Sequence, residues 1–339
     1  MNVTTILGID LAKRVFQLHG VDENGKVALK KRLTRKELPE FIARLPACLI
    51  GLEACGSAHH WARKFESFGH KVRLINPVFV KPYVKNNKND YNDSEAICEA
   101  VSRPNMRFVP IKSVSQQDCQ CLHRVREKLI NNRTALVNQI RGLLAEYGIV
   151  FSKDIQNVSA KLPIILDDFD NGLSEFSRTL FQELYEDFVS LNKRVKSCET
   201  KISTLYKTDQ RCQRIGAIPG IGTITATALV SAITDPGLFK NGRALSAWIG
   251  LVPRQASSGN KQVLLGITKR GDAYLRRLLI HGARSVVWHA SKKEDKRSLW
   301  INQLRNRRGA NKTAVALANK NARVVWALLT KELEYKEAV

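Results

Sequence analysis

Short apolar runs separated by turn residues dominate the first 110 residues and restrict this part of the chain to a mixed sheet. Strands are predicted at residues 4–9, 14–20, 26–33, 48–53 and 71–76, where Val, Ile and Leu are frequent and Gly, Asp or Asn mark the ends. Helices are predicted at residues 35–45, 57–68 and 92–102. Three successive strands followed by strand–helix alternation indicate a mixed sheet with helices packed on it.

Acidic residues occur where two of these strands end and where a helix begins. Asp10 closes the first apolar run, Glu53 closes the fourth, and Asp90 and Asp93 lie three residues apart at the start of the third helix. Carboxylates in such positions can converge on one patch, which would bind Mg²⁺ or Mn²⁺, because hard cations take oxygen ligands. Each acid alone also fits a turn, an ion pair or a helix cap. Gathering all four is costly unless a metal ion offsets their repulsion.

The chain is strongly basic, which predicts a polyanionic partner. Lys and Arg number 55 against 31 Asp and Glu, a net charge of +24, and residues 241–339 hold 20 of the basic and 6 of the acidic residues. Nucleic acid is the phosphodiester that such a chain would meet. No apolar run reaches the roughly 20 residues of a membrane span. The first residues lack a signal-peptide pattern and the seven cysteines are scattered, so we expect a cytoplasmic protein without a membrane partner.

Residues 111–210 change to a helical pattern. Apolar residues with three-four spacing predict two long helices, and their positions are Leu122, Val125, Leu129, Leu136, Ile140, Leu143 and Tyr147, then Leu184, Phe188, Leu191, Val195, Cys198, Ile202 and Leu205. Two such helices form either an antiparallel hairpin or a dimerising coiled coil. We therefore predict three domains: residues 1–110, a helical coiled-coil spacer at 111–210, and a mainly α, basic domain at 211–339.

The third domain contains a Gly-x-Gly turn between two helical runs. Ile218-Pro219-Gly220-Ile221-Gly222-Thr223 matches a helix-hairpin-helix-like motif, in which backbone N–H groups of Gly220 and Gly222 would face a phosphate. An ordinary tight turn with a helix cap at Thr223 is the equally weighted alternative. Trp288, Trp300 and Trp326 are expected to pack in the core.

Several short motifs occur together, in one order, along nearly the whole chain. They are Gly8-Ile9-Asp10-Leu11-Ala12-Lys13, Glu53-Ala54-Cys55-Gly56, Asp90-x-x-Asp93, Ile218-Pro219-Gly220-Ile221-Gly222, Gly250-Leu251-Val252-Pro253-Arg254, Ser257-Ser258-Gly259 and Lys269-Arg270-Gly271. Together they resemble the DEDD transposases of bacterial insertion sequences. Cys55 and Ser94 stand where Thr and Ala are common in that family, and neither change affects an expected metal ligand.

The resemblance implies a fold and a reaction. It implies an RNase H-like (RuvC-like) first domain with Asp10, Glu53, Asp90 and Asp93 as metal ligands, and a serine nucleophile in the last domain. The family serine precedes a Gly, which maps it to Ser258, with the adjacent Ser257 as the alternative. It also implies guidance by a structured bridge RNA that pairs with target and donor DNA. The residues assigned to nucleic-acid binding are Lys13, Gly220, Gly222, Arg254, Lys261, Lys269, Arg270, Arg276 and Arg277.

We therefore expect a recombinase of a mobile element that cuts and rejoins DNA through a phosphoserine link. It is expected to act as a dimer or tetramer in the bacterial cytoplasm, associated with the nucleoid when active. Two alternatives remain open: a metal-dependent junction nuclease in which water is the nucleophile, and a non-catalytic nucleic-acid-binding protein. Nuclease activity needs only the acids, recombination needs the acids and Ser258, and binding needs neither.

Overall fold

The structure, a computed structural model, describes residues 3–85, 90–152, 154–259 and 262–336. The side chain of Asp90 lies outside the described part, although the backbone of this residue is included. The chain groups into two compact units, Met1–Ser113 and Val114–Val339. The finer division at residues 110 and 210 stays a prediction.

The first unit is built on a six-stranded mixed sheet with the strand order β3-β2-β1-β4-β5-β6. Its strands are β1 (Ile6–Leu11), β2 (Val15–Val21), β3 (Val27–Thr34), β4 (Leu49–Glu53), β5 (Lys71–Ile75) and β6 (Phe108–Val109). The first three strands pair antiparallel, β4 and β5 continue parallel to β1, and β6 runs antiparallel to β5. The predicted mixed sheet is confirmed, whereas the two-residue strand β6 was not predicted.

Helices cover both faces of this sheet. They are α1 (Glu37–Ala43), α2 (Ala58–Glu66), α3 (Pro77–Val80) and α4 (Asp90–Ser102). On one face, Leu7 and Ile9 of β1 are fully buried in a core that includes Leu38 of α1 and Phe65 of α2. The intervening residue, Gly8, contacts α4 on the other face. The alternation along β1 thus separates an apolar core face from a face that carries α4.

The second unit is mostly helical. Its elements are α5 (Val114–Ala145), α6 (Ile155–Asp167), α7 (Glu175–Thr208), α8 (Gln210–Gly216), α9 (Thr223–Ala232), α10 (Gly242–Ile249), β7 (Pro253–Gln255), β8 (Leu264–Ile267), α11 (Ala273–His289), α12 (Lys296–Arg308) and α13 (Ala310–Lys331). None of the helices in the described part of the chain is both long enough and apolar enough to cross a membrane.

The two long helices α5 and α7 pack against each other in antiparallel directions. Arg126 donates to Glu199 at 2.6 Å, and Arg133 donates to Asn192 at 2.8 Å. The Tyr147 hydroxyl lies 2.9 Å from that of Ser177. Residue numbers in α7 therefore decrease where those in α5 increase. Of the two predicted arrangements, the antiparallel hairpin is therefore the one that these helices form within one chain. A coiled coil between chains stays a prediction.

The remaining helices of this unit share one core, and one predicted core residue is not part of it. Leu245 of α10, Leu279 of α11 and Leu317 of α13 are fully buried together. Trp326 packs there and donates its Nε1–H to the carbonyl of Phe239 at 3.0 Å. Trp288 is 74% exposed, so the prediction that it packs in the core is wrong. It occupies the solvent side of α11, because the buried face of that helix runs through Leu275, Leu279, Ala283 and Val287.

A buried histidine connects α5 to α9 and α11. His123 places Nε2 3.0 Å from the hydroxyl of Thr227 and Nδ1 3.0 Å from that of Tyr274. The Thr227 hydroxyl donates to the carbonyl of Thr223 at 2.8 Å, so it accepts from Nε2–H, and Nδ1 accepts from Tyr274. The ring is therefore neutral, and burial lowers the pKa of His123 to about 4.

We predict that folding stability falls as the pH drops from about 6.5 towards 4. The unfolded chain takes up a proton on His123 near its ordinary pKa of about 6.5, while the folded chain resists protonation until its lowered pKa of about 4 is reached. The loss approaches about 1.4 kcal/mol per pH unit for one such group. Urea unfolding of the native chain and of His123→Gln across this range measures it. An equal slope in the two proteins would contradict the assignment.

Candidate metal and nucleic-acid site

The close packing of α4 on the sheet positions the acidic residues of the first unit. A Cβ on Gly8 would overlap the backbone oxygen of Ser94 and the backbone nitrogen of Cys98. A Cβ on Gly51, the register partner of Gly8 in β4, would lie 2.8 Å from the Cβ of Val101. The Sγ of Cys98 lies 3.8 Å from the carbonyl oxygen of Ile6, whereas Gly8 faces Ser94 as well as Cys98, so residue numbers along α4 fall as β1 proceeds from Ile6 towards Asp10. The first turn of α4, which contains Asp93, is thereby directed towards the strand ends.

Asp10 and Glu53 lie next to each other around the thiol of Cys55. Ile9 pairs with Leu52 in the parallel β1–β4 ladder, so the next residues, Asp10 and Glu53, are neighbours on the face that carries α4. Partial burial raises the pKa of the Cys55 thiol, and the charges of Glu53 and Asp10 raise this pKa further. The thiol therefore lies within electrostatic range of both carboxylates.

The predicted four-carboxylate site is described only in part. Asp93 is half-buried in the first turn of α4, and the side chain of Asp90 lies outside the described part of the chain. Among the described residues, no three His, Cys, Asp or Glu side chains form a group that could hold one metal ion. A site that uses all four acids therefore stays a prediction.

The residues that are described nevertheless fit a divalent cation. Asp10 and Glu53 supply hard oxygen donors from adjacent strands. Gln17, the register partner of Asp10 in β2, has a buried Oε1 without a hydrogen-bond partner in the described chain. An unsatisfied buried oxygen beside a carboxylate pair is consistent with a site completed by an ion and its water. Asp10 and Glu53 would hold such an ion, together with the predicted Asp90 and Asp93.

A cross-strand row extends this site towards the sheet edge, and sequence analysis missed it. Gln17 pairs with Arg32 of the edge strand β3, so the row reads Glu53, Asp10, Gln17 and Arg32 across four strands. Lys30, the register partner of His19, lies on the same face. Burial lowers the pKa of His19, the charge of Glu95 opposes this shift, and the charge of Lys30 adds to it. The sequence of β3 places Lys30 and Arg32 two residues apart, on one face of the strand. Only the strand register shows that this face is the one that carries Asp10.

Ser258 lies in the loop of a two-stranded hairpin in the second unit. β7 and β8 pair antiparallel, and the backbone N–H of Ala256 donates to the carbonyl of Val263 at 2.9 Å. The Ser257 hydroxyl accepts from Gln255 Nε2 at 3.0 Å and from the Val263 N–H at 3.4 Å. Ser258 is exposed, and no hydrogen bond of its hydroxyl is found among the described residues. The two adjacent serines therefore occupy different environments.

Three of the predicted basic residues lie at the base of this hairpin. Arg254 belongs to β7, and Lys269 and Arg270 follow β8, where the Lys269 N–H donates to the carbonyl of Gly250 at 3.2 Å. All three side chains are exposed, which leaves them accessible to a phosphate. Lys261 lies outside the described residues, and Lys13 is exposed in the β1–β2 turn of the first unit.

The other two predicted basic residues have partners within the fold. Arg276 donates to the carbonyls of Ile249 at 3.0 Å and Arg270 at 2.9 Å, so it ties the segments before and after the hairpin together. Arg277 forms an ion pair with Glu127 and lies over the ring of Tyr274. Contacts of these two residues with nucleic acid stay predictions.

The Gly-x-Gly turn joins α8 to α9. The N-cap of α9 is Gly222, which is exposed, rather than Thr223. Gly220 has a φ of +91° and lies against the backbone of Gly282 in α11, where a side chain would have no room. Gly220 therefore serves packing between the turn and α11, while the exposed backbone of Gly222 is accessible to a ligand. A helix-hairpin-helix function stays a prediction.

Comparison with known proteins identifies the family. A sequence model described as a transposase matches residues 7–149, and it represents the DEDD transposases of the IS110 type. A second model, described as the transposase IS116/IS110/IS902 family, matches residues 212–298. The chain belongs to the IS110/IS116 family of DEDD transposases. It is thus a DNA transposase of insertion sequences, and the family generally uses divalent metal ions.

Individual relatives agree with this membership. A probable family 20 transposase of Pseudomonas aeruginosa is 49% identical over 99% of both chains. The transposase for insertion sequence element IS1111A of Coxiella burnetii is 47% identical over 98% of this chain and 91% of the relative. A pilin gene-inverting protein of Moraxella bovis is 25% identical over 81% of this chain and 80% of the relative. The RNase H-like fold implied by the sequence therefore stands as a property of the family.

We predict that Gly8→Ala destabilises the first unit and impairs strand cleavage. The added Cβ overlaps backbone atoms of α4, which cannot move without displacing Asp93 from the strand ends. Overpacking of this kind costs about 1–3 kcal/mol. Gly56→Ala is the matched control, because a Cβ there meets nothing within 4 Å. Urea unfolding and a cleavage assay measure both variants, and equal behaviour of the two would contradict the role of this contact.

Proposed function

We propose that this transposase is an RNA-guided recombinase in which the acidic patch and Ser258 act on the same phosphodiester of DNA. The observation that carries the proposal is the position of Asp10 and Glu53 around Cys55, on the face where α4 begins. Carboxylates gathered beside an apolar core are costly without a cation. A DNA transposase has a direct use for that cation, because it stabilises negative charge on a phosphate.

The serine step conserves phosphodiester energy. The oxygen of Ser258 forms a bond to phosphorus as a bridging P–O bond of the DNA breaks. The serine proton passes to a base, and the protonated base or water then gives a proton to the leaving oxygen, which becomes a hydroxyl. A hydroxyl from another strand then attacks the phosphoserine, which restores the serine and joins the new strands. Mg²⁺ or Mn²⁺, when bound, neutralises charge on the phosphate. Arg254, Lys269 and Arg270 at the base of the hairpin supply further positive charge.

Ser258 rather than Ser257 is assigned as the nucleophile. The hydroxyl of Ser257 is engaged by Gln255 and by the backbone of Val263, which supports a role in holding the hairpin. Ser258 is exposed, and the following Gly259 has a φ of +54°, a conformation that glycine adopts without strain. A reacting strand can approach such a loop closely. The assignment also agrees with the position of the serine implied by the family.

Rejoining is favoured over simple hydrolysis by the relatives. A protein named for inverting a pilin gene aligns with four-fifths of this chain, and inversion of a DNA segment requires that every cut strand be joined again. A junction nuclease would release ends instead. A non-catalytic nucleic-acid-binding protein would leave the positions of Asp10 and Glu53 without a purpose. The proposed assembly is a dimer or tetramer.

We predict that a DNA substrate that traps the cleaved intermediate becomes covalently attached to Ser258. Peptide mass spectrometry locates the adduct, and Ser258→Ala should lower strand cleavage by about 10³-fold or more, as removal of a nucleophile does elsewhere.

Asp10→Asn should abolish cleavage while DNA binding persists, since the charge lost is not on the basic surface.

Ser257→Ala is the matched control for that experiment. It should still form the adduct, because its hydroxyl is assigned to the hairpin. An adduct on Ser257, or full recombination by Ser258→Ala, contradicts the assignment. Cleavage by Ser258→Ala without any adduct in the native protein indicates the hydrolytic nuclease.

Guidance by a structured RNA is the second part of the proposal. The net charge of +24 exceeds what an enzyme needs at one scissile phosphate and suits a second polyanion. We predict that RNase treatment of the purified chain abolishes cleavage at its target, and that a change in the pairing segment of the RNA redirects the cut. Sequencing of the cut sites measures both effects. Unchanged target choice by RNA-free protein contradicts guidance.

A further inference from the structure

Gln17 lies in the same cross-strand row as the acidic residues, one strand away from Asp10. The two residues are register partners in the antiparallel β1–β2 pair, so their side chains leave the sheet on the same face, with Cβ atoms about 4.5–5.5 Å apart. The neighbours Phe16 and Leu18 point to the opposite face and are fully buried in the core. Gln17 therefore shares the face on which α4 packs with Asp10 and Glu53.

The Gln17 side chain is buried and incompletely satisfied. It is 5% exposed, and its Oε1 has no hydrogen-bond partner in the part of the chain that the structure describes. Two other buried polar residues of this unit are satisfied, since His70 uses both ring nitrogens and Asp22 accepts two backbone N–H groups. The Nε1–H of Trp61, a donor in the apolar core on the opposite face, is a second buried group of this unit without a partner among the described residues. Buried oxygens without a partner are rare and costly, so this one calls for a ligand-based explanation.

The neighbouring chemistry restricts what can satisfy this oxygen. The carboxylates of Asp10 and Glu53 only accept hydrogen bonds when they are ionised, as they are when they hold a cation, whereas the Oε1 of Gln17 needs a donor. Water on a divalent cation is a strong donor, because the cation polarises its O–H bonds. Hydrogen bonds from residues behind the direct ligands orient many metal sites in this way. A neutral amide can do so without adding negative charge to a carboxylate pair.

We propose that Gln17 is a positioning residue of the metal site, whose Oε1 accepts a hydrogen bond from a water molecule on the divalent ion held by Asp10 and Glu53. The role depends on the metal site of the proposed function. It adds to the acidic residues of that site a neutral residue, which a search for carboxylates in the sequence does not find. In the metal-free chain the oxygen is unsatisfied, so Gln17 costs stability there and contributes affinity once the ion binds.

These opposite effects separate a positioning role from a structural one. Mn²⁺ is titrated onto the full-length chain and its free concentration is followed by electron paramagnetic resonance, while thermal unfolding is measured without metal. Gln17→Met keeps the length of the side chain and removes the acceptor. We expect its Mn²⁺ affinity to fall by about 10–100-fold, with an equal or higher melting temperature than the native chain. His19→Asn changes a buried polar residue two positions along β2, on the same face, and should leave Mn²⁺ affinity unchanged.

Native Mn²⁺ affinity in Gln17→Met, with or without a lower melting temperature, would overturn the role. Should Gln17→Met fail to fold, Gln17→Glu decides, because its carboxylate keeps the acceptor. It should bind Mn²⁺ at least as tightly as the native chain and melt lower without metal, owing to repulsion from Asp10. Weaker binding by Gln17→Glu would refute the proposal.

Asp10→Asn distinguishes failure of this role from failure of the proposed function. If Asp10→Asn and the native chain bind Mn²⁺ alike, the ion is not held at the acidic patch, and the proposed function and the role of Gln17 fail together. If binding needs Asp10 but Gln17→Met retains native affinity, only the role of Gln17 fails.

Discussion

The close packing of α4 on the strands β1 and β4 governs the geometry of the first unit. Gly8 and Gly51 are register partners on adjacent strands, and together they leave a shallow groove in which the helix lies. No larger residue fits at Gly8, because its Cβ position is occupied by backbone atoms of α4. Apolar packing against α1 and α2 on one face of the sheet and this contact on the other face together determine where α4 begins. The positions of the acidic residues are therefore determined by packing rather than by attraction between the carboxylates.

Packing of this kind has to work against electrostatic repulsion. Asp10 and Glu53 are adjacent; burial raises the pKa of the nearby Cys55 thiol, and the charges of Glu53 and Asp10 raise it further. Like charges held close together destabilise a fold until a cation offsets them. The row beyond Asp10 continues with neutral Gln17 and then with basic Arg32, so negative charge is confined to one end. An edge strand bearing Lys30 and Arg32 on this face also presents positive charge towards an approaching phosphate.

Much of the first unit could be predicted from sequence because its first five strands are rich in Val, Ile, Leu or Phe and clear turn residues mark their ends. The acids were recognisable for the same reason, since they stand where the runs end. Register is a different kind of information: Gln17 became a candidate only when the β1–β2 pairing placed it beside Asp10. The two-residue β6 has no periodicity to detect.

In the second unit, helical spacing correctly indicated long helices but not which residues they bury. Val125 and Leu143 fit the predicted stripe of α5 and are exposed, whereas Val137 and Leu144 are buried. The buried face of a long helix changes along its length, since α5 meets α7, α9 and α6 in turn. Trp288 is a similar case, because a large apolar side chain predicts burial only when its helix face has a neighbour. Composition also does not distinguish basic residues that have partners within the fold from basic residues that are exposed to solvent.

Arg276 illustrates that last distinction. Its guanidinium binds the carbonyls of Ile249 and Arg270, which flank the β7–β8 hairpin, and so it holds the base of the loop that carries Ser258. Arg297 similarly donates to the carbonyl of Pro219 and to Asn321. Both arginines donate hydrogen bonds to backbone or side-chain oxygens of the fold. Their charges contribute to the electrostatic field of the unit, but the donors used in these hydrogen bonds are not available to a phosphate. Arg254 is exposed, and its guanidinium has no hydrogen bond or ion pair within residues 154–259 and 262–336, so its donors are accessible to a phosphate. The salt dependence of nucleic-acid binding should therefore follow the exposed basic residues rather than the total net charge, since counterions are released only where a side chain reaches a phosphate.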